Sequence, residues 1–253
     1  MKFAVDLAQC LDPALLMKYL GLVPDVWQEA LLRSRAKRML LCCCRQAGKS
    51  TVAAIMALHE ALFSPPALIL LVSPSLRQSQ ELFRKVTQLY EVLDRPVPSD
   101  QESALRLELK NGSRIVSLPG KEATVRGYSG VRLLVVDEAA RVPDELYFSI
   151  RPMLAVSGGK LVCLSTPFGK RGFFFEEWSR GSNWERVKIT ALDCPRISPA
   201  FLAEEQASLG DWWYRQEYMC EFVETVDQVF YYDQVMTALS GEVKPLFGGI
   251  ENE

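Results

Sequence analysis

The sequence predicts an α/β fold, doubly wound, with a mostly parallel sheet flanked by helices. Three observations lead there. Continuous apolar runs of strand length recur around residues 39–44, 67–72, 131–136 and 160–164, the pattern of strands buried on both faces. The first run passes through Arg45-Gln46-Ala47-Gly48-Lys49-Ser50 straight into a helical pattern, the strand–turn–helix context of a phosphate-binding loop. The third ends in two adjacent carboxylates, Asp137 and Glu138.

The whole chain sets bounds. At 253 residues, 49% of them apolar, it fits one large α/β domain or a domain with a small appendage. A net charge of −2 gives no global electrostatic footprint for nucleic acid, so any such contact is local or supplied by partners. Seven cysteines, an odd count without a Cys-x-x-Cys pair, and no cleavable N-terminal signal point to a reducing compartment. Cys42, Cys43, Cys44 and Cys163 fall in predicted strands and read as small buried thiols. The single histidine, His59, leaves zinc without a ligand set. No apolar run reaches the roughly 18–20 residues that span a bilayer, so no membrane partner is expected.

In chain order, residues 1–36 read as helical. Asp12-Pro13 starts one segment, Gly21 closes it, and Pro24-Asp25-Val26 opens the next. Trp27 and Gln28 have two readings: a core anchor beside a surface amide, or an adenine contact made by a flat face and an amide that both donates and accepts. The loop follows the first strand. Gly48 lets the backbone approach phosphates, and amides of the helix start, from Gln46 and Ala47 on to Thr51, point at the anion. Lys49 reaches the terminal phosphates and the Ser50 hydroxyl can ligate magnesium. The general pattern puts glycine where this chain has Cys43.

Thr51–Phe63 is predicted as a helix stopped by Ser64-Pro65-Pro66, and the strand at 67–72 ends at Ser73-Pro74-Ser75. A helix then runs to about Leu93, with Arg77 in its first turn, either solvated or facing a ligand. Residues 105–109 and 113–118 alternate around Asn111-Gly112, which predicts an antiparallel hairpin. Residues 120–130 read as a mobile glycine-rich loop carrying Lys121 and Arg126.

Side-by-side carboxylates cost electrostatic energy unless a cation or a task accounts for them. Asp137 is placed to hold magnesium opposite Ser50, and Glu138 to polarise the attacking water as general base. The plain alternative is a helix N-terminus enriched in acids. Ser165-Thr166-Pro167 ends the strand at 160–165 and can sense the terminal phosphate or its water, or can be an ordinary strand-end turn. A helix at 173–179 and a strand at 184–190 follow. From Ser198 the pattern is helical and aromatic-rich, predicting a small lid subdomain over 198–240 after a core of 1–197, and 241–253 reads as a linker. A phosphate loop together with Asp-Glu is more specific than either alone, because the glutamate marks enzymes that hydrolyse ATP with their own base.

These residues resemble one family, the motor (ATPase) domain of the large terminase subunit of tailed bacteriophages. The matching strings are Trp27-Gln28, Arg45 to Ser50, Ser73-Pro74-Ser75-Leu76-Arg77-Gln78, Arg126-Gly127, Val136 to Ala140, Ser165-Thr166-Pro167, and Gln216-Glu217-Tyr218 before Glu221-Phe222. The resemblance implies a P-loop NTPase of the additional-strand, catalytic-glutamate type that uses ATP and Mg2+ to pump double-stranded DNA into a procapsid. Carried across, Glu138 is the base, Asp137 and Ser50 hold the metal, and Trp27 and Gln28 lie at the adenine. Ser165-Thr166-Pro167 couples hydrolysis to movement. Arg126 is the arginine finger inserted into a neighbour's site, with Arg45 in the loop as the alternative in cis.

The implied partners are DNA, the portal protein, the small terminase subunit and further copies in a ring, with a monomer in isolation. The implied place is the host cytoplasm, transiently docked on the procapsid. The family continues into a nuclease domain, and no cleavage activity is expected of this chain. Two other readings stand beside this one: a helicase-like translocase, and a nucleotide-binding assembly scaffold with little turnover.

Overall fold

Capping side chains set where several helices begin. Asp12 Oδ1 accepts from Ala14 N at 3.0 Å and opens α2 (Pro13–Tyr19), directly after α1 (Lys2–Leu11). Gln28 Oε1 accepts from Asp25 N at 2.9 Å at the start of α3 (Val26–Arg33). Ser75 Oγ accepts from Gln78 N at 3.3 Å at the head of α5 (Leu76–Val92), which α4 (Lys49–Phe63) precedes. The later helices are α6 (Asp144–Ile150), α7 (Gly172–Ser179), α8 (Pro199–Glu217) and α9 (Tyr232–Ala238). Gly210, at φ +78°, kinks α8 midway. This computed structural model describes residues 2–120, 127–224 and 232–239.

Among the described residues the strands are β1 (Arg38–Cys43), β2 (Leu68–Ser73), β3 (Ser99–Ser103), β4 (Arg106–Leu109), β5 (Arg114–Pro119), β6 (Leu133–Asp137), β7 (Lys160–Ser165) and β8 (Glu185–Ile189). They form one sheet in the order β3-β4-β5-β2-β6-β7-β1-β8. From β5 to β8 every neighbour is parallel, with β2 paired to β6, β6 to β7 and β7 to β1. The additional strand is β7, inserted between the strand of the phosphate loop and the strand of the two acids. Its carboxyl end, Ser165-Thr166, therefore lies between the two motifs.

The hairpin predicted around Asn111-Gly112 is β4–β5, with Leu107 opposite Ile115. Two features lie beyond what its alternation announces. β5 also runs parallel beside β2 and so joins the main sheet. β3 pairs antiparallel with β4 as an edge strand, and its sequence, Ser-Asp-Gln-Glu-Ser, is mostly exposed and carries no apolar alternation. The helix after the phosphate loop starts at Lys49, two residues earlier than the apolar pattern predicts, because the loop itself forms the first turn.

Each apolar run divides between two cores by the two-residue period of a strand. Met39, Leu41, Leu133, Val135, Val162 and Leu164 face α2 to α5, while Leu40, Leu134, Val136, Leu161 and Cys163 face α6 and α7. The cysteines are free thiols, and burial pushes those of Cys42, Cys43 and Cys163 up, as inert core groups. His59 Nε2 lies 3.0 Å from Gln9 O and ties α4 to α1, a structural role. The far end of α8 is seated on the sheet: Ala191 N donates to Tyr218 O at 2.8 Å, and Tyr218 and Cys220 pack into the first core. Among the described residues no helix is long and apolar enough to cross a membrane. Lys121, Arg126 and the expected linker at 241–253 lie outside the described residues.

Candidate nucleotide-binding site

The loop sits at the carboxyl end of β1, where α4 begins. Gln46 and Gly48 take left-handed backbone at φ +61° and +92°, which turns successive amides inward as an anion-binding concavity. Position 48 favours glycine through its φ, and a Cβ there would also stand 2.8 Å from Gln28 Nε2, so that side chain would have to shift. Lys49 is buried, and its Nζ donates to Cys43 O at 3.4 Å, Cys44 O at 3.2 Å and Thr166 Oγ1 at 3.1 Å. Glu138 Oε1 lies 3.9 Å away. A buried ammonium is tolerable only with such a shell of oxygens, and the same donors are available to phosphate.

Glu138 takes φ +50°, left-handed and strained for a residue with a side chain, in the turn after β6. Its Oε2 lies 3.3 Å from Arg141 Nη1 and 3.5 Å from Ser165 Oγ. Asp137 is buried behind it, and its Oδ1 accepts from Glu138 N at 3.1 Å. Burial, and then the charge of Glu138, push the Asp137 carboxyl up to about 7 against the pull of Lys49. A divalent cation would relieve that penalty. Ser50 lines the cavity at this loop and Asp137 lies buried behind Glu138, and both carry hard oxygen donors of the kind magnesium takes, with the rest from water and phosphate. Among the described residues no group of three or more His, Cys, Asp or Glu could hold a metal ion.

A cavity of about 490 Å³ opens here. Arg45 to Thr51, Glu138 and Thr166 line it, together with Gln78, Lys85 and Arg141, three side chains the sequence reading assigned no role. Across Gly48, a second, mostly apolar cavity of about 680 Å³ is walled by Leu22, Val26, Pro195, Gln28, Thr51 and Arg196. The pair Trp27 and Gln28 is split. Gln28 is buried, with Nε2 donating to Ala47 O at 3.4 Å, and borders this second cavity. Trp27 packs against the core and lines neither cavity.

Further residues close the site from distant parts of the chain. Arg196 binds Asp25 through both carboxylate oxygens at 2.7 Å and donates to Ala47 O at 3.2 Å. Arg45 Nε donates to Glu217 Oε2 at 2.5 Å. Of these four side chains, the sequence offered Arg45 as the alternative finger, Asp25 as a helix start and Glu217 as part of a string of family-like residues without an assigned chemistry, and it offered nothing for Arg196. Ser165 Oγ donates to Thr166 O at 2.8 Å and Pro167 is buried, so the strand-end triplet is held rigidly beside Lys49 and Glu138.

The family described as "Terminase large subunit, T4likevirus-type, N-terminal" matches residues 41–236, from β1 to α9. The chain belongs to the terminase large-subunit family. The terminase large subunit of Thermus phage G20c is 30% identical over 249 residues, which cover 83% of this chain and 51% of that protein. The chain thus spans about half the length of the curated relatives it matches. The large terminase ATPase domain of Thermus phage P74-26 superposes with a TM-score of 0.72 at 25% identity, covering 82% of this chain and 97% of that one. The large terminase of the thermophilic bacteriophage D6E in complex with ADP shares the fold, with a TM-score of 0.60 at 14% identity over 82% of this chain and 52% of that one. The expected P-loop NTPase fold is therefore the fold of this terminase chain.

Proposed function

We propose that this chain is the ATP-hydrolysing motor part of a terminase, coupling hydrolysis to translocation of double-stranded DNA into a procapsid. The observation that carries the reading is the convergence of Lys49, Glu138 and Thr166 from three separate strand ends on the cavity behind Gly48. Complexes of a family member with ADP and with ATP-gamma-S support a nucleotide as the ligand.

In this reading the amides of the 45–51 loop and Lys49 cradle the phosphates. Glu138, oriented by Arg141 and Ser165, accepts the proton of the attacking water. Magnesium, held by Ser50 and Asp137, would neutralise charge on the phosphate oxygens. Thr166 binds Lys49 directly, while Ser165 Oγ lies 3.5 Å from Glu138, so Ser165-Thr166-Pro167 borders both halves of the chemistry and can transmit a change in either. Gln28 and the apolar cavity beside it take the base. Arg126 serves as the finger delivered in trans to a neighbour in a ring on the portal, and Arg45 is the alternative in cis. The small terminase subunit and the portal complete the set of partners.

Glu138→Gln and Lys49→Ala separate the steps. Glu138→Gln should retain ATP binding and lose turnover by at least about a hundredfold, the lower end of what general-base catalysis contributes. Lys49→Ala should lose binding as well. Turnover by Glu138→Gln close to the parent rate would sink the catalytic assignment, and ATP bound by the parent without turnover under any condition would favour a scaffold.

A further inference from the structure

Glu217 is a carboxylate at the end of α8 whose side chain is only 7% exposed, and its partners belong to the phosphate site. Its Oε2 accepts from Arg45 Nε at 2.5 Å, and its backbone oxygen accepts from Arg45 N at 3.2 Å. Its Oε1 lies 3.9 Å from Arg141 Nη2 and accepts from Gln216 Nε2 at 3.2 Å. Arg141 in turn reaches Glu138, 3.3 Å away. One buried acid on α8 therefore binds the arginine of the loop and stands within ion-pair distance of the arginine beside the general base.

A buried carboxylate is stable only while its charge is matched. Arg45 and Arg141 both line the 490 Å³ cavity. A phosphate oxygen is the same kind of acceptor as a carboxylate oxygen, and guanidinium binds either through charge-assisted hydrogen bonds. Arg45 gives its Nε–H to Glu217 and keeps four N–H on its Nη atoms, so a phosphate can take the Nη edge and share the charge of the guanidinium with Glu217. A phosphate that draws the guanidinium toward itself weakens its hold on Glu217, and with it the tie between the loop and the last turn of α8. That turn has a ready place to give, the kink at Gly210.

We propose that Glu217 is a positioning residue that holds Arg45 and Arg141 in place for the phosphates and makes the end of α8 respond to nucleotide. The proposal rests on the nucleotide-site reading above and adds to it the link by which the site addresses α8. Glu217 contacts no substrate; it acts through the two arginines.

The test compares the parent with Glu217→Gln, Glu217→Asp and Arg45→Lys, using ATPγS for binding and ATP for turnover. Removing the competing charge in Glu217→Gln should tighten ATPγS binding by about three- to tenfold while kcat falls about ten- to a hundredfold, the range of a charge-assisted hydrogen bond. Glu217→Asp should restore part of kcat. Amide hydrogen exchange over residues 211–218 should rise when the parent binds ATPγS. In Glu217→Gln it should already be high and indifferent to nucleotide, and Arg45→Lys, which keeps the charge but loses the Nε donor, should show the same indifference. A merely structural Glu217 would weaken binding and turnover together and leave the nucleotide response of α8 intact, which overturns the proposal. Exchange over 211–218 unmoved by ATPγS in the parent overturns it too. A parent that fails to bind ATPγS, or a Lys49→Ala variant that binds it equally well, overturns the nucleotide-site reading and this proposal together.

Discussion

At the scale of single residues, the site is governed by charges and backbone angles that only particular side chains satisfy. Gly48 combines a left-handed φ with a space in which a Cβ would crowd the Gln28 amide, itself buried and bonded at both ends. Gly48→Ala should therefore lower stability by about 1–3 kcal/mol and weaken nucleotide binding, measured by thermal melting with and without ATP. Melting equal to the parent would show that the loop relaxes freely. Asp137 makes a prediction in pH. With its carboxyl lifted to about 7, the native protein keeps a proton that the unfolded chain has already released. That contribution to stability is full below about pH 4 and is lost as the pH rises through 7. Asp137→Asn, with no charge to bury, should melt on the order of 3–6 °C above the parent at pH 8 without magnesium, and level with it at pH 4. The same gain at both pH values would place the cost elsewhere.

Elements transmit what residues begin. The strand β7 lies between β1 and β6, so Thr166 reaches Lys49 and Ser165 reaches Glu138 from one strand end. On the other face of the sheet, α7 is bolted down by Glu177, which accepts from Tyr147 Oη at 2.9 Å and Trp184 Nε1 at 2.7 Å. Tyr147 also stacks on Phe173 with centroids 3.8 Å apart. Glu177→Ala leaves two donors without their acceptor in a half-buried setting, and should cost about 2–4 kcal/mol in urea unfolding. A loss below about 0.5 kcal/mol, the range of an ordinary surface substitution, would mean that water replaces the carboxylate without penalty.

For the whole molecule the question is what a single copy can do. Its net charge of −2 provides no general attraction to DNA, so the proposed translocation would need grip from local surfaces or from several copies acting together. If Arg126 completes a neighbour's site, ATP turnover per molecule should climb with protein concentration. A mixture of Arg126→Ala and Glu138→Gln, each inactive alone, should recover part of the activity. Flat specific activity with a fully active Arg126→Ala would move the finger to Arg45 in cis. The arginine of the loop already gives its Nε–H to Glu217 in this structure, which leaves its Nη edge to act.

The sequence by itself determined the parts whose chemistry is carried by neighbours in the chain. A strand, a Gly-Lys-Ser turn and a helix are covalently adjacent, as are Asp137 and Glu138, Ser165 and Thr166, and the Asn111-Gly112 hairpin. Apolar runs and turn residues report such units directly. Where those units meet was a matter for tertiary structure. β3 has no hydrophobic period, so nothing local announces it. Trp27 and Gln28 are consecutive, yet helix geometry turns one to the core and the other to the loop. Arg45 and Glu217 stand 172 positions apart, and Arg196 and Asp25 stand 171 apart. Each of these pairs exists because the sheet order and the seating of α8 bring opposite charges to one strand-end face, and a pairing set by long-range packing leaves no local pattern in the chain.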